Sequence, residues 1–303
     1  MVSLLKYLSF GLNFFYKSVV LRQRIPLMGG LVITDKCNLS CSHCHLTNNT
    51  EAQELSKDDV ISALSLLYSR GSQFLAITGG EPMCWANSGW TLDDVIVKAR
   101  KIGFKLISVY TNGTLTLKSG ADVLFVSLDG VSETNNRLRD NSYKTVVENL
   151  SKTTHEHIVI NATINSKNYK EINSLCLFAQ NTPTVKAIFF YFHTPYYGID
   201  ELFIDESLRN KAIDEIISLK KQGYPIMNSV HCLKGIQKGK WQRPGTLCDV
   251  YAAGKIYHCC RANSNSVACN NCGYLGYAEL EYIAKINIGT ICNTIYYLPK
   301  KSR

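Results

Sequence analysis

An α/β fold built on a parallel sheet is what this sequence predicts, and two observations predict it. Between residues 31 and 221, six short apolar runs alternate with stretches of helical period. The chemically distinctive residues gather where those runs end. Parallel crossovers of this kind give an open doubly wound sheet or a full or partial barrel, and both place a site at the C-terminal ends of the strands.

The elements follow in order. Residues 31–34 are apolar and strand-like, and a cysteine-rich loop comes next. Residues 57–68 carry Val60, Ile61, Leu64, Leu67 and Tyr68 at helical spacing, with Ser56 as N-cap. Residues 74–78 read as a buried strand that stops at Gly79-Gly80. Residues 92–101 are helical, and 105–110 form a strand running into Thr111-Asn112-Gly113. The strand at 123–128 ends at Asp129-Gly130. A helix at 143–151, a strand at 158–164 and a helix at 171–179 follow. The strand at 187–192 ends at His193, and 206–221 is a long amphipathic helix. After residue 223 the alternation stops. Gly, Asn, Cys and Tyr become frequent and no long helix is evident. Residues 228–303 therefore read as a small loop-rich module that needs a staple such as a metal. The expected division is an N-terminal helical extension at 1–27, a core at 28–225 and a cluster-binding module at 226–303.

The chain has 303 residues, 46% of them hydrophobic, which is enough for one large domain or a large domain plus a small one. Its formal charge of +9 is spread along the chain and forms no basic block, so no nucleic-acid partner is expected. Twelve cysteines in a chain this long, several at short spacings, read as metal ligation in a reducing, cytoplasmic setting rather than as a disulfide framework.

Ahead of Asp35 there is no acidic residue. On a helix, Lys6, Ser9, Asn13 and Lys17 form one narrow polar stripe on an otherwise apolar surface. Such a helix suits a peripheral membrane interface, or packing against the protein body. Lys6 and Lys17 speak against a spanning segment, and no small-residue cleavage site marks a signal peptide.

The first constellation is Cys37-Asn38-Leu39-Ser40-Cys41-Ser42-His43-Cys44. Three thiolates within eight residues can wrap one corner of an iron–sulfur cubane, since thiolates are natural soft ligands for its iron. With no fourth cysteine in the loop, one iron stays open, and an open position marks a reactive site. A zinc site completed by His43 or His45 and a set of free thiols are the bland alternatives.

The Cys-x3-Cys-x2-Cys loop after the first strand, followed by Gly79-Gly80-Glu81-Pro82 after the second, resembles the radical S-adenosylmethionine (radical SAM) superfamily over roughly residues 28–195. The resemblance implies a partial (β/α)6 barrel of the TIM type. It implies a [4Fe–4S] cluster on Cys37, Cys41 and Cys44 whose open iron chelates the methionine moiety of S-adenosylmethionine (SAM). One electron, from a donor such as flavodoxin or ferredoxin, then breaks the S–C5′ bond, and a 5′-deoxyadenosyl radical takes a hydrogen atom from an organic substrate. Gly79, Gly80 and Glu81 would hold the SAM ammonium by close backbone approach and a carboxylate. Ser127-Leu128-Asp129-Gly130 with Asn136-Arg137-Leu138-Arg139 resembles the family's fourth-strand segment, which makes Ser127 and Arg139 SAM contacts; a tight turn followed by a solvated basic helix is the bland account. Thr111-Asn112-Gly113 is similar to a turn near SAM in these enzymes, and also to any Asn-Gly turn. His43 stands where the family usually has an aromatic residue, and its ring can still pack on adenine.

Near the C-terminus, Cys248-x5-Gly254-x4-Cys259 followed by Cys269-x2-Cys272 resembles the twitch (short SPASM) module, which holds an auxiliary [4Fe–4S] cluster. Gly254 would turn the hairpin between two ligands. Cys260 and Cys292 are candidate replacements within the set, and a zinc ribbon on the same cysteines is the alternative. Of the remaining cysteines, Cys176 reads as core and Cys84 follows the Gly-Gly-Glu-Pro turn. His193, Tyr191 and Tyr196 end the sixth strand, on the substrate side.

Three substrate classes stay open. Arg24-Ile25-Pro26-Leu27 and the apolar N-terminus are like radical SAM enzymes that adenosylate hopanoid precursors, which suggests a lipid or isoprenoid. SPASM-type maturases act on ribosomal peptides, although only about 30 residues precede the barrel, too few for a leader-binding domain. Small twitch-bearing dehydrogenases act on small metabolites. A non-catalytic cluster- or zinc-binding structural protein is the reading from a different class.

Overall fold

The structure is a computed structural model and describes residues 11, 12, 14, 16–21, 23, 25–44, 52–241, 245, 247–262 and 265–299. Six parallel strands make its frame: β1 (Met28–Thr34), β2 (Phe74–Gly79), β3 (Leu106–Thr111), β4 (Val123–Ser127), β5 (Ile158–Ile164) and β6 (Val185–Phe192). β2 to β6 lie within two residues of the expected runs, and β1 begins three residues earlier than its expected run. Helices α1 (Lys57–Ser69), α2 (Leu92–Ile102), α3 (Glu133–Leu138), α4 (Tyr143–Lys152), α5 (Ile172–Asn181) and α6 (Glu206–Lys221) fill the crossovers. Ser56 caps α1 as expected: its hydroxyl accepts from Asp59 N at 3.1 Å, and the Asp59 carboxylate returns the bond to Ser56 N at 3.2 Å.

The strands are buried on both faces, as a parallel sheet covered on both sides requires. Leu31, Ile33, Leu75, Ile77, Ile107 and Val109 belong to the main core together with Val60, Leu64 and Leu67 of α1 and Val95 and Ile96 of α2. The other face holds Ser108, Tyr110, Phe125, Ser127 and Asn161. Tyr110 on β3 reaches Tyr191 on β6, hydroxyl to hydroxyl, at 3.4 Å. Two strands separate them, so a flat sheet would hold their backbones roughly 14 Å apart. The sheet therefore curls, as a partial barrel does. Tyr110 also stacks on Phe125 with centroids 4.5 Å apart. These aromatic rings fill the barrel interior, and the strand ends above them carry the polar residues.

The C-terminal segment holds more helix than its sequence suggests. β7 (Cys248–Ala252) pairs parallel with β1, and β8 (Lys255–His258) folds back on β7, so the eight-stranded sheet runs β8-β7-β1-β2-β3-β4-β5-β6. Ala253 and Gly254 both have positive φ (51° and 76°), the two-residue primed turn in which Gly254 does what its position implied. Among the described residues this segment also holds four helices: α7 (Val230–Gln237), α8 (Ser266–Asn270), α9 (Leu275–Ala284) and α10 (Ile288–Tyr297). α9 and α10 escape a pattern search because they lack a clean polar face. Glu279 and Glu281, which would mark a solvent side, are both buried.

Of the N-terminal polar stripe, Lys6, Ser9 and Asn13 lie outside the described residues; Lys17 sits in a short π-helical turn, Tyr16–Val20. Among the described residues no helix is long and apolar enough to cross a membrane.

Candidate active site and metal centres

The loop after β1 brings the first three cysteines to the C-terminal end of the sheet. Cys41 is buried, Cys44 half-buried and Cys37 exposed. Neighbouring strand ends hold this loop. Asn112 Nδ2, just past β3, donates to Asn38 Oδ1 at 2.8 Å and to Cys37 Sγ at 3.7 Å. Asn38 Nδ2 donates to Thr114 Oγ1 at 2.8 Å. From the β4 side, Ser40 N donates to Asp140 Oδ2 and Ser42 N to Leu138 O, at 3.0 and 3.1 Å. Burial pushes the Cys41 thiol up to about 11, and Arg139 acts against that rise. Loading a metal here would release protons. His45 lies outside the described residues.

Gly79 and Gly80 make a close approach, but to their own chain. A Cβ on Gly79 would stand 2.1 Å from Thr34 O, and one on Gly80 2.1 Å from Lys36 O. Gly80 N donates to Thr34 O and Glu81 N to Lys36 O, so this turn fixes the stem of the cysteine loop. Glu81 is fully buried. Its Oε1 accepts from Met83 N at 3.0 Å and Thr111 Oγ1 at 2.9 Å, and its Oε2 accepts from Asn112 N at 2.6 Å. Burial raises its carboxyl, and the three donors oppose the rise. A hydrogen-bonded chain thus runs Glu81–Asn112–Asn38, with Asn112 also on Cys37.

Asp129 is the second hub. Its Oδ2 accepts from Arg139 Nε at 2.6 Å and stands 3.3 Å from His43 Nε2; its Oδ1 accepts from Thr163 N at 2.6 Å. Burial works against the Arg139 charge, but Asp129, then Cys41 and Cys44, outweigh it. The solvated basic helix is therefore not what Arg139 belongs to: it is buried and aimed at the cysteine loop. Burial lowers His43 to about 4, leaving a neutral ring whose Nδ1 is buried with no partner among the described residues. Ser127 pairs in register with Asn161 of β5, and Asn161 Oδ1 is likewise buried without a partner. Two unmet acceptors at one mouth are costly unless something fills it.

The C-terminal cysteines meet at a second place. Cys259, Cys260, Cys269 and Cys272 line one small pocket, about 20 Å³, with Thr194, Tyr196, Tyr274, Ala262 and Ala268. Cys248 does not line it: it is buried in a small apolar cluster with Val32, Val250 and Ala252. The Cys259 thiol donates to Cys260, which lowers Cys260 and raises Cys259. Cys292 is exposed on α10, away from the cavity lining. Cys176 is fully buried in the main core, as expected, and Cys84 is exposed beside Glu81 and Cys37. Among the described residues no three His, Cys, Asp or Glu side chains converge on a point that would hold a single metal ion. A cubane presents its irons at separate corners and asks its thiolates to stand further apart.

His193 ends β6 between the two cysteine sites. Its Nε2 meets Asp200 Oδ2 at 2.8 Å, and it lies near enough to His43 to oppose that ring's protonation. Thr194, the next residue, lines the cavity, and its Oγ1 accepts from Gly273 N at 2.9 Å. The sequence pattern offers neither Asn161 nor Arg261, whose Nη1 donates to Asp35 Oδ1, and it offers Asn112 and Asp129 as members of SAM-side turns without their partners. Strand alternation could have offered Asn161, but its pairing with Ser127 depends on register, which a single strand does not reveal.

Residues 31–179 match the family model described as "Radical SAM superfamily". The Fe-coproporphyrin III synthase of Methanosarcina barkeri is 28% identical over 215 residues, covering 64% of this chain and 52% of that protein. The chain thus spans about half the length of that relative. Among solved structures, Streptococcus suis SuiB bound to precursor peptide SuiA matches with a TM-score of 0.63 at 15% identity, over 84% of this chain and 64% of that one. Native anSMEcpe with bound AdoMet and Cp18Cys peptide matches at 0.60 and 16% identity, over 90% and 82%. These structural likenesses bear on the fold.

Proposed function

The chain belongs to the radical SAM superfamily, and on that premise we propose that it cleaves SAM reductively and takes a hydrogen atom from an organic substrate bound near His193, between the two cysteine sites. One observation carries the reading: the Cys37–Cys44 loop, the Gly79-Gly80-Glu81 turn and the Asp129–Arg139 pair converge at one end of the sheet, where His43 Nδ1 and Asn161 Oδ1 are buried with no partner among the described residues. Enzymes of this superfamily use a [4Fe–4S] cluster and SAM, and the donors present fit both. Cys37, Cys41 and Cys44 supply three soft ligands and leave one iron open. The unmet acceptors suit a ligand rich in N–H and O–H groups.

When bound, the cluster and SAM together supply the electron and the carbon radical that start the reaction. The protein's own part is placement. Gly79 and Gly80 set the loop stem, and Glu81 locks Asn112 against Asn38 and Cys37. Arg139 is held charged beside the thiols and can pair with a carboxylate. Ser127, Asn161 and His43 complete the polar wall. A one-electron reductant such as flavodoxin or ferredoxin belongs to the same proposal; acidic carriers of that kind suit a chain of net charge +9.

The C-terminal cavity is assigned an auxiliary cluster. Its lining favours Cys259, Cys260, Cys269 and Cys272, with Cys260 taking the place that spacing gave to Cys248. The substrate is an organic molecule of the peptide, lipid or small-metabolite class.

The test is anaerobic reconstitution followed by dithionite and SAM, with 5′-deoxyadenosine and methionine measured. Wild type is expected to hold about eight irons and to form both products; a Cys37/Cys41/Cys44→Ala variant is expected to hold about four and form neither. Full iron with no SAM cleavage would return the chain to the non-catalytic reading.

A further inference from the structure

The C-terminal cavity has a wall of hydroxyls as well as thiols. Tyr196 and Tyr274 both line it, and Tyr196 Oη donates to Tyr274 Oη at 2.5 Å. A tyrosine hydroxyl that accepts one bond still has its own proton to give. Among the described residues Tyr274 Oη makes no other hydrogen bond. Nor can the ring turn away to find one. It stacks on Tyr277 at 5.4 Å and meets Tyr191 edge-on at 5.9 Å and Tyr196 at 6.4 Å. The polar groups left on the cavity wall are Thr194 Oγ1, already taken by Gly273 N, and the four thiols. On a half-buried ring with no other acceptor on the wall, an O–H donor is better satisfied by a sulfur acceptor in the cavity.

We propose that Tyr274 donates a hydrogen bond to cysteine sulfur of the C-terminal site, that Tyr196 positions and polarises this donor, and that the pair raises the reduction potential of the auxiliary cluster. The assignment rests on the auxiliary-cluster reading above. The physics is direct. Reduction adds one negative charge to the cluster and its thiolates, so a donor aimed at sulfur stabilises the reduced form more than the oxidised form. A donor that itself accepts a short hydrogen bond is strengthened by it. Tyr274 is placed to do this because Gly273, the residue between Cys272 and Tyr274, ties the backbone to the end of β6: Phe192 N donates to Gly273 O at 3.0 Å and Gly273 N to Thr194 Oγ1 at 2.9 Å. The side chain that completes the barrel interior thus also reaches the cluster cavity.

The experiment uses full-length Cys37/Cys41/Cys44→Ala protein, in which the C-terminal cluster is the one left, reconstituted with iron and sulfide. Its midpoint is read by EPR-monitored redox titration, with and without Tyr274→Phe or Tyr196→Phe. Tyr274→Phe is expected to lower the midpoint enough to change the reduced-to-oxidised ratio about tenfold at fixed potential, which is about 59 mV for one electron. Tyr196→Phe, which leaves the donor in place, is expected to shift it in the same direction by less. Equal midpoints in all three proteins at equal iron content would overturn the assignment while leaving the cluster reading intact. No iron in the triple-alanine host would overturn the cluster reading and the hydroxyl assignment with it. If Tyr274→Phe fails to fold, Tyr196→Phe decides alone: an unchanged or raised midpoint sinks the proposal.

Discussion

Arg261 Nη1 donates to Asp35 Oδ1 at 2.9 Å, and this ion pair joins the two cysteine-bearing loops across 226 residues of sequence. Asp35 is buried two residues before Cys37, and Arg261 follows Cys260 directly. Removing one partner leaves a buried charge without its complement. Arg261→Gln is expected to destabilise the protein by ~2 kcal/mol. Adding Asp35→Asn should recover part of that loss, because the stranded carboxylate is gone. Urea melts of the two single variants and the double variant measure the coupling; strictly additive losses would remove this pair from the account.

The glycines of the Gly79-Gly80 turn show how far sequence reasoning reached. Glycine there promised a close backbone approach, and the approach exists, but it is to Thr34 and Lys36 of the same chain. Gly80→Ala must displace either the turn or the stem of the cysteine loop. The expected result is loss of iron from the first site with the C-terminal iron retained. Gly120→Ala, whose Cβ would meet nothing nearer than 3.7 Å, is the control and should keep full iron. Iron and sulfide counts on both variants decide it.

Much of the core was legible because strands and helices in a parallel α/β frame repeat one local pattern. Ser56, Gly254 and the six strands each announce themselves within a few residues. What was hidden depends on pairing at a distance. Asn161 matters through its register with Ser127, and Arg261 through Asp35. Glu279 and Glu281 misled because an acid on a helix normally marks the wet side, whereas α9 is covered by β6, α7 and α10. Cys248 was chosen by spacing alone, and spacing does not say that its strand turns the thiol into an apolar cluster.

Glu279 carries a pH prediction. Burial pushes its carboxyl up to about 7; Ser229, Cys232 and Lys220 are the groups facing it and act the other way. Its folded value therefore stands above the ordinary 4.5. Between those two values the native state holds a proton that the unfolded chain has lost, so stability is expected to fall as pH rises through that window and to level off above it. The loss is on the order of 3 kcal/mol. Glu279→Gln keeps the acceptor for Ser229 N, which donates to Glu279 Oε1 at 2.7 Å, and should flatten the profile. Urea denaturation at pH 5, 6 and 8 compares the two proteins; parallel profiles would show that the unfavourable charge is relieved some other way.

The ligand set of the second site separates two cysteines in different surroundings, Cys248 buried and Cys260 half-buried. Cys260 lines the cavity with Cys259, Cys269 and Cys272, and the Cys259 thiol donates to it, which favours its thiolate. Cys248 sits among Val32, Val250 and Ala252, and burial, with Asp249 adding to it, pushes its thiol up to about 12. A thiolate is the ligand form, and Cys260 stands on the cavity wall where that charge would meet metal, whereas Cys248 stands in the apolar cluster. Cys260→Ala is expected to remove about four irons and Cys248→Ala to leave them, since alanine in an apolar cluster costs packing and no ligand. Iron counts with EPR of the reduced proteins distinguish the outcomes. Retention in Cys260→Ala with loss in Cys248→Ala would mean that β7 rotates its first residue toward the cavity when metal binds, and the four ligands would then be those the spacing first selected.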